Sequence, residues 1–94
     1  GPRINRQVER KSFQPRLLLV GKRVDDAVAA LDRFLDDALL HGMKELEVIH
    51  GSGEGVLRRV VREQLAAHQG VAAFHAAAPD AGGDNVTVIE MRTR

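Results

Sequence analysis

The sequence has no cysteine, tryptophan or tyrosine, and its only aromatic residues are Phe13, Phe34 and Phe74. The lack of cysteine excludes a disulfide-stapled fold, a thiolate zinc finger and a cysteine nucleophile, and it fits a reducing compartment. No apolar run approaches the roughly 18 residues that span a bilayer, and no charged start leads into an apolar signal core. A soluble cytoplasmic domain with no membrane partner is therefore expected. A chain of 94 residues buries one modest core, which leaves no room for a two-domain enzyme with a cleft between its halves. The opening Gly1-Pro2 resembles a protease scar, so the chain is expected to be a piece of a longer protein.

The formal net charge of +1 hides an asymmetry. Residues 1–23 carry seven basic residues and one acid, a net +6, whereas the remainder carries seven basic residues and twelve acids, a net −5. A positive arm ahead of an acidic body suits contact with phosphate, although a solvated linker has the same composition. Residues 1–15, without sustained periodicity, are expected to be a basic linker or an expression-derived arm lacking fixed structure, and residues 16–94 the folded domain.

That domain reads as alternating strands and helices. Arg16 to Val20 is a short run, apolar on both faces and closed by Gly21, as expected of a central strand. From Val24 the residues Ala27, Val28, Leu31, Phe34, Leu35, Ala38 and Leu39 fall at helical spacing, with Asp25 and Asp26 in the first turn and His41-Gly42 as a basic, left-handed end. Lys44 to His50 alternates and reads as a second strand, with Leu46, Val48 and His50 on one face. Val56, Leu57, Val60, Val61 and Leu65 mark a second helix that runs to about His68. Val71 to Ala77 and Val86 to Arg92 are two more strands, joined by a loop around Pro79, Gly82 and Gly83. The order βαβαββ predicts a two-layer α/β sandwich: a four-stranded mixed sheet with two helices on one face.

The most informative segment is His50-Gly51-Ser52-Gly53-Glu54-Gly55, between the second strand and second helix. Three glycines let backbone N–H groups approach an anion, and the following helix aims its positive end at the same place. No Lys-Ser or Lys-Thr pair closes it, so it is not a Walker loop, and it lacks dinucleotide spacing. His50 suits a general acid or base, a metal ligand, a phosphate donor or a hydrogen-bonded structural residue. Arg58 and Arg62 share one helix face near this loop and suit phosphate oxygens, whereas Arg59 and Glu63 have the spacing of an intrahelical pair. Gly82-Gly83-Asp84-Asn85-Val86-Thr87 is either a flexible turn or a second loop that brings Asp84, Asn85 and Thr87 to a phosphate or metal. His41, His68 and His75 lack paired ligand spacing and read as caps or surface residues. Phe34 and Phe74 belong to core positions, leaving Phe13 as the one free platform for stacking a base.

These motifs carry a resemblance. From Leu17 to Met91 the chain resembles an Smr (small MutS-related) domain, and its long acidic helix is most similar to the copy at the C terminus of bacterial MutS II proteins. His50-Gly51-Ser52-Gly53 matches the family's HGxG pattern, "GVLRRVVREQL" follows it, and Gly82 to Thr87 matches GGxxVT. The resemblance implies the βαβαββ sandwich already read. It also implies DNA nicking or RNA cleavage, roles at the ribosome, in DNA repair or in recombination, and membership of a larger, dimeric MutS-type ATPase. One departure stands out: the family's first-strand LDxHG or LDLRG is here Leu17-Leu18-Leu19-Val20-Gly21, with Leu18 in place of the acid and Val20 in place of the basic residue.

The expected function is therefore nucleic-acid binding, to DNA or else RNA or the ribosome, with weak nicking activity; the alternative is a noncatalytic module that localises the parent ATPase. His50, Glu54 and Asp84 are the candidate catalytic residues. Lys22, Arg23, Gly51, Ser52, Gly53, Gly55, Arg58, Arg62, Gly82, Gly83, Asn85 and Thr87 are the candidate contacts to nucleic acid. No cofactor is expected to be tightly bound, although Mg or Mn could assist cleavage through Asp84 or Glu54.

Overall fold

The computed structural model describes residues 13–93. The candidate basic arm lies largely outside them. The elements are β1 (Arg16–Leu18), α1 (Val24–Leu40), β2 (Glu45–Ile49), α2 (Val56–Ala67), β3 (Val71–Ala76) and β4 (Val86–Met91), the expected βαβαββ order. They form one four-stranded mixed sheet in the order β1-β2-β4-β3, with β1 parallel to β2 and β4 antiparallel to both neighbours.

Both helices lie on one face of the sheet. Their apolar stripes bury Ala27, Leu31, Phe34, Leu35 and Ala38 from α1 with Val61 and Leu65 from α2. These pack against Leu46, Val48, Ile89 and Met91, which alternate inward from the two middle strands. The helices are also tied to each other, since Gln64 Nε2 donates to the Val28 carbonyl at 3.0 Å. The opposite face has a smaller cluster of Ala77, Val86 and Val88, with Ile49 packed beside it and no helical residue. Between β3 and β4 the chain makes two 3₁₀ turns, Pro79–Ala81 and Gly83–Asn85, rather than a tight hairpin.

Two expectations are corrected. The leucine run at the start is an edge strand of three residues, not a central strand. Leu19 is fully buried and Leu17 half-buried, but Leu18 is 60% and Val20 55% exposed. The middle positions belong instead to β2 and β4, and five of the six residues of β4 are buried. Phe13 is corrected as well: its ring stacks on Phe34 at 5.4 Å and on His41 at 5.2 Å, so it belongs to the packed body and is not a free platform. At the end of α1, Gly42 takes the expected left-handed conformation (φ +66°), and the His41 ring Nδ1 donates to the Asp37 carbonyl at 2.8 Å.

Candidate nucleic-acid interface

Topology brings three chain segments to one end of the sheet. Because β1 and β2 are parallel, the segments that leave them emerge side by side; because β4 runs antiparallel to β2, the turn that enters β4 lies at the same end. The Asn85 carbonyl fixes this junction by accepting from the backbone N–H groups of both His50 (3.1 Å) and Gly51 (3.0 Å). Gly82 is required for that turn: its φ is +113°, and a Cβ there would clash with Val86 Cγ2. On the other side, Lys22 N–H donates to the Leu19 carbonyl and turns the chain into α1.

His50 sits beneath the glycine-rich loop and is only 4% exposed. Its Nδ1 lies 3.0 Å from the Gly51 carbonyl and its Nε2 2.8 Å from Thr87 Oγ1. A carbonyl only accepts, so Nδ1 carries the proton, and Nε2 of the neutral ring accepts from the Thr87 hydroxyl. Desolvation by burial, opposed by the bond to Gly51 and assisted by the charges of Arg62 and Arg58, holds the His50 pKa below its ordinary 6.5. Thr87 is fully buried. The pair therefore locks the loop to the central strand; neither ring nitrogen is free to take a proton from a substrate in this arrangement.

Above this lock the loop ends at Gly55, the N-cap of α2, in the left-handed conformation (φ +82°). No side chain caps the helix and its first turn holds no acid, so the amides that every helix start leaves without intrahelical partners have no side-chain acceptor there; the nearest carboxylate in the chain is Glu54, just before the N-cap. A groove of about 470 Å³ opens here, between Val20 to Lys22, the glycine loop, the start of α2 and Asn85. A neighbouring depression of about 510 Å³ shares Glu54, Gly55 and Arg58 with it and adds Arg59 and Arg62. Arg62 Nε is buried without a hydrogen-bond partner among the described residues, which leaves a guanidinium donor unused beside the loop.

The structure thus gathers Lys22, His50, Gly51, Ser52, Gly53, Glu54, Gly55, Arg58 and Asn85 at one groove, with Arg62 next to it. Arg23 stands at its edge as the exposed N-cap of α1. Gly82, Gly83 and Asp84 are not in the groove wall; they shape the turn behind Asn85, and Asp84 is exposed. Thr87 lies below the groove as the partner of His50. Sequence reasoning missed Val56 and Leu57 as groove residues. The signal was present, since they directly follow the last loop glycine and so occupy the first turn of α2. The Arg59–Glu63 ion pair does not form among the described residues, where the carboxylate partners are instead Arg16–Glu47, His68–Asp36 and His75–Glu90.

Glu54 and Asp84 do not join a cluster of three ligating groups. The cluster found among the described residues is Asp32, Asp36 and His68, whose ligand atoms lie within 4.8 Å of one another. Spacing in the sequence conceals it, because it joins α1 to the end of α2. His68 Nδ1 accepts from the Gly70 N–H at 2.9 Å, which leaves Nε2, 3.9 Å from Asp36, as the N–H nitrogen of the ring. A metal ligand would need the lone pair that this arrangement does not offer.

The model of the Smr domain family matches residues 17–92. The chain belongs to the Smr family. It is 49% identical over 73 residues to the endonuclease MutS2 of Maridesulfovibrio salexigens, covering 78% of this chain and 10% of that protein. It is 42% identical over 74 residues to that of a Geobacillus species, covering 79% and 9%. The chain thus spans about a tenth of the length of the curated relatives it matches. Among solved structures, the Smr domain of Thermus thermophilus MutS2 superposes with a TM-score of 0.81 at 35% identity, covering 84% of this chain and 99% of that one. YdaL, a stand-alone small MutS-related protein from Escherichia coli, superposes at 0.82 with 25% identity, covering 87% and 67%. No helix among the described residues is long and apolar enough to cross a membrane.

Proposed function

We propose that this Smr domain is a nucleic-acid-binding module of a larger MutS-type protein and grips backbone phosphate at the start of α2. The observation that carries this reading is the uncapped, acid-free first turn of α2 behind a glycine loop, flanked by Arg58, Arg59, Arg62 and Lys22. Helix-start amides and guanidinium groups are both donors to an anion, and neither reads sequence, so the module holds the backbone rather than a particular site. DNA is the first partner to test, with RNA and the ribosome as further arms. Placement in a dimeric ATPase acting in the cytoplasm, in repair or recombination, follows from the same proposal.

The relatives are named endonucleases, and cleavage is the finer part of the reading. In-line attack on a phosphodiester needs a positioned base and neutralisation of developing charge. Arg58 and the α2 amides supply the second. For the first, His50 must give up its bond to Thr87 or Gly51, and Leu18 offers no carboxylate to orient it. Glu54 and Asp84 form no three-group cluster, so a divalent ion that assisted cleavage would be held by a single carboxylate together with water and substrate phosphate. Binding is therefore the principal activity, and cleavage is slow. The test is a titration with labelled DNA at several salt concentrations, followed by incubation with and without Mg or Mn beside a His50→Ala control. Affinity should fall with salt at a log-log slope of several units. Salt-independent binding, or no binding at low salt, overturns the reading.

A further inference from the structure

Helix α1 is charged against its own dipole at its far end. Its last turn holds no basic residue, yet Asp37 stands in that turn and Asp36 just before it, where a helix presents its partly negative carbonyl pole. Asp36 faces His68 at 3.9 Å, whereas Asp37 has no ion-pair partner among the described residues. Phe34, Asp37 and His41 follow one another at spacings of three and four and so share one side of the helix. Phe13 stacks on the first and the last of these, with ring centroids 5.4 Å and 5.2 Å apart. Two residues on, the Pro15 carbonyl accepts from the Glu47 N–H at 2.9 Å and leads the chain into β1. The chain therefore enters the domain across the part of α1 that carries Asp37.

We infer that the end of α1 is the docking surface for the chain's own basic arm, with Arg10 and Lys11 closing over Asp37 and the last-turn carbonyls. Residues 1–12 lie outside the described residues; what identifies them as the occupant is where they join the domain and what they carry. They hold Arg3, Arg6, Arg10 and Lys11 against the single acid Glu9, while α1 holds five aspartates against one arginine. Lys11 and Arg10 precede Phe13 by two and three residues, about 7–10 Å of extended chain, so Asp37 is within reach of both side chains. An exposed ion pair is worth little by itself, but Phe13 already tethers the partners and makes the contact intramolecular, at an effective concentration on the order of millimolar. The glycine loop is at the opposite end of α1, about 25 Å of helix away. The cations next to Phe13 thus serve α1 and not the groove at α2, and the arm is a strap that sets the direction in which the chain leaves the domain. This docking is independent of whether α2 receives phosphate.

The test is a double-mutant cycle in the full chain, melted at low salt: the unaltered protein, Asp37→Asn, Arg10→Gln with Lys11→Gln, and all three replacements together. With the arm intact, Asp37→Asn removes the anchor and should lower the melting temperature. With the arm neutralised, the same replacement relieves a carboxylate at the negative end of the helix and should raise it. The change caused by Asp37→Asn should differ between the two arms by roughly 2–6 °C; the intrinsic preference of asparagine cancels in the comparison. That difference should vanish at 1 M salt, where the screening length is roughly 3 Å. Amide shifts give a second readout that needs no change in the folded body: Arg10→Gln with Lys11→Gln should move residues 36–41 and leave residues 53–58 in place. Equal effects of Asp37→Asn in both arms, or a difference that survives 1 M salt, overturn the docking. Amide changes that miss residues 36–41, or that centre on residues 53–58, overturn it as well.

Discussion

Helix α1 begins with Asp25 and Asp26 in its first turn, whereas α2 begins at a left-handed glycine with no acid and with Arg58 as its third residue. Both helices start at the same end of the sheet, one after β1 and the other after β2. The first helix answers its own dipole with its own carboxylates. The second leaves the positive end open and adds more positive charge, which costs the free protein about 0.3–1 kcal/mol per unfavourable charge. Two adjacent helix starts thus differ in the N-cap, extended at Arg23 and left-handed at Gly55, and in the charge of the first turn, and the difference locates the anion site: it is where the first turn withholds its own carboxylates.

The sharpest way to break this contrast is to make α2 like α1. Arg58→Asp puts a carboxylate where α1 has Asp26. Nucleic-acid affinity should fall by about 10²-fold at low salt, the scale of losing one charge-assisted contact and adding a repulsive one. Thermal stability should hold or rise slightly, because the new acid favours the helix dipole. Binding isotherms and a melting curve on the same sample check both halves.

Next in size is the lock that holds the α2 loop and has no counterpart beside α1. Thr87→Val removes the donor to His50 Nε2 and leaves a buried acceptor unpaired, at a cost of about 1–3 kcal/mol. The lock also has a pH signature. His50 titrates below its ordinary 6.5 in the folded state, so the unfolded chain binds more protons in the interval beneath that value. Its contribution to stability is complete above pH 6.5 and is lost as pH falls towards the lowered folded value. Denaturant midpoints of the native protein should decline across that interval, and His50→Gln should flatten the decline.

A paired glycine replacement separates backbone strain from anion binding. Gly55 and Gly21 share φ +82°, but a Cβ on Gly55 would stand 3.1 Å from Arg58 Nη2, whereas one on Gly21 meets no atom within 4 Å. Alanine at either should cost about 1–2 kcal/mol for the left-handed backbone. That corresponds to a melting temperature lower by roughly 4–8 °C per kcal/mol for a domain of this size. Only Gly55→Ala should also weaken nucleic-acid binding, because it displaces Arg58. The smallest effect concerns β1. Leu18→Asp with Val20→His writes the family pattern into an exposed edge, so stability should move by no more than about 0.5 kcal/mol in a denaturant melt. A larger loss would show that β1 is buried in solution.

What the sequence disclosed and what it hid follow from range of interaction. The helices, their ends and the element order rest on spacings of three and four residues and on local glycines, and all are visible in a single strand of text. Strand placement is not. Four apolar residues from Leu17 to Val20 look like a central strand, yet two face solvent. The middle strand β4 was recognisable as a strand but not as a middle one, because its position depends on pairings with β2 and β3 across the whole chain. The candidate site was legible as a loop with a helix behind it. The bond between His50 and Thr87 was not, since it spans 37 positions and exists only through the register of Ile49 against Val86.

The central claim, that the open start of α2 and not the acidic start of α1 receives phosphate, is tested most directly by amide chemical shifts of the full chain titrated with an oligonucleotide. The account predicts that the amides of residues 53–58 move first and furthest, that those of Asp25 and Asp26 stay in place, and that raising salt reverses the change. Shifts of comparable size at the start of α1, or shifts confined to residues outside the glycine loop and the first turn of α2, would contradict it.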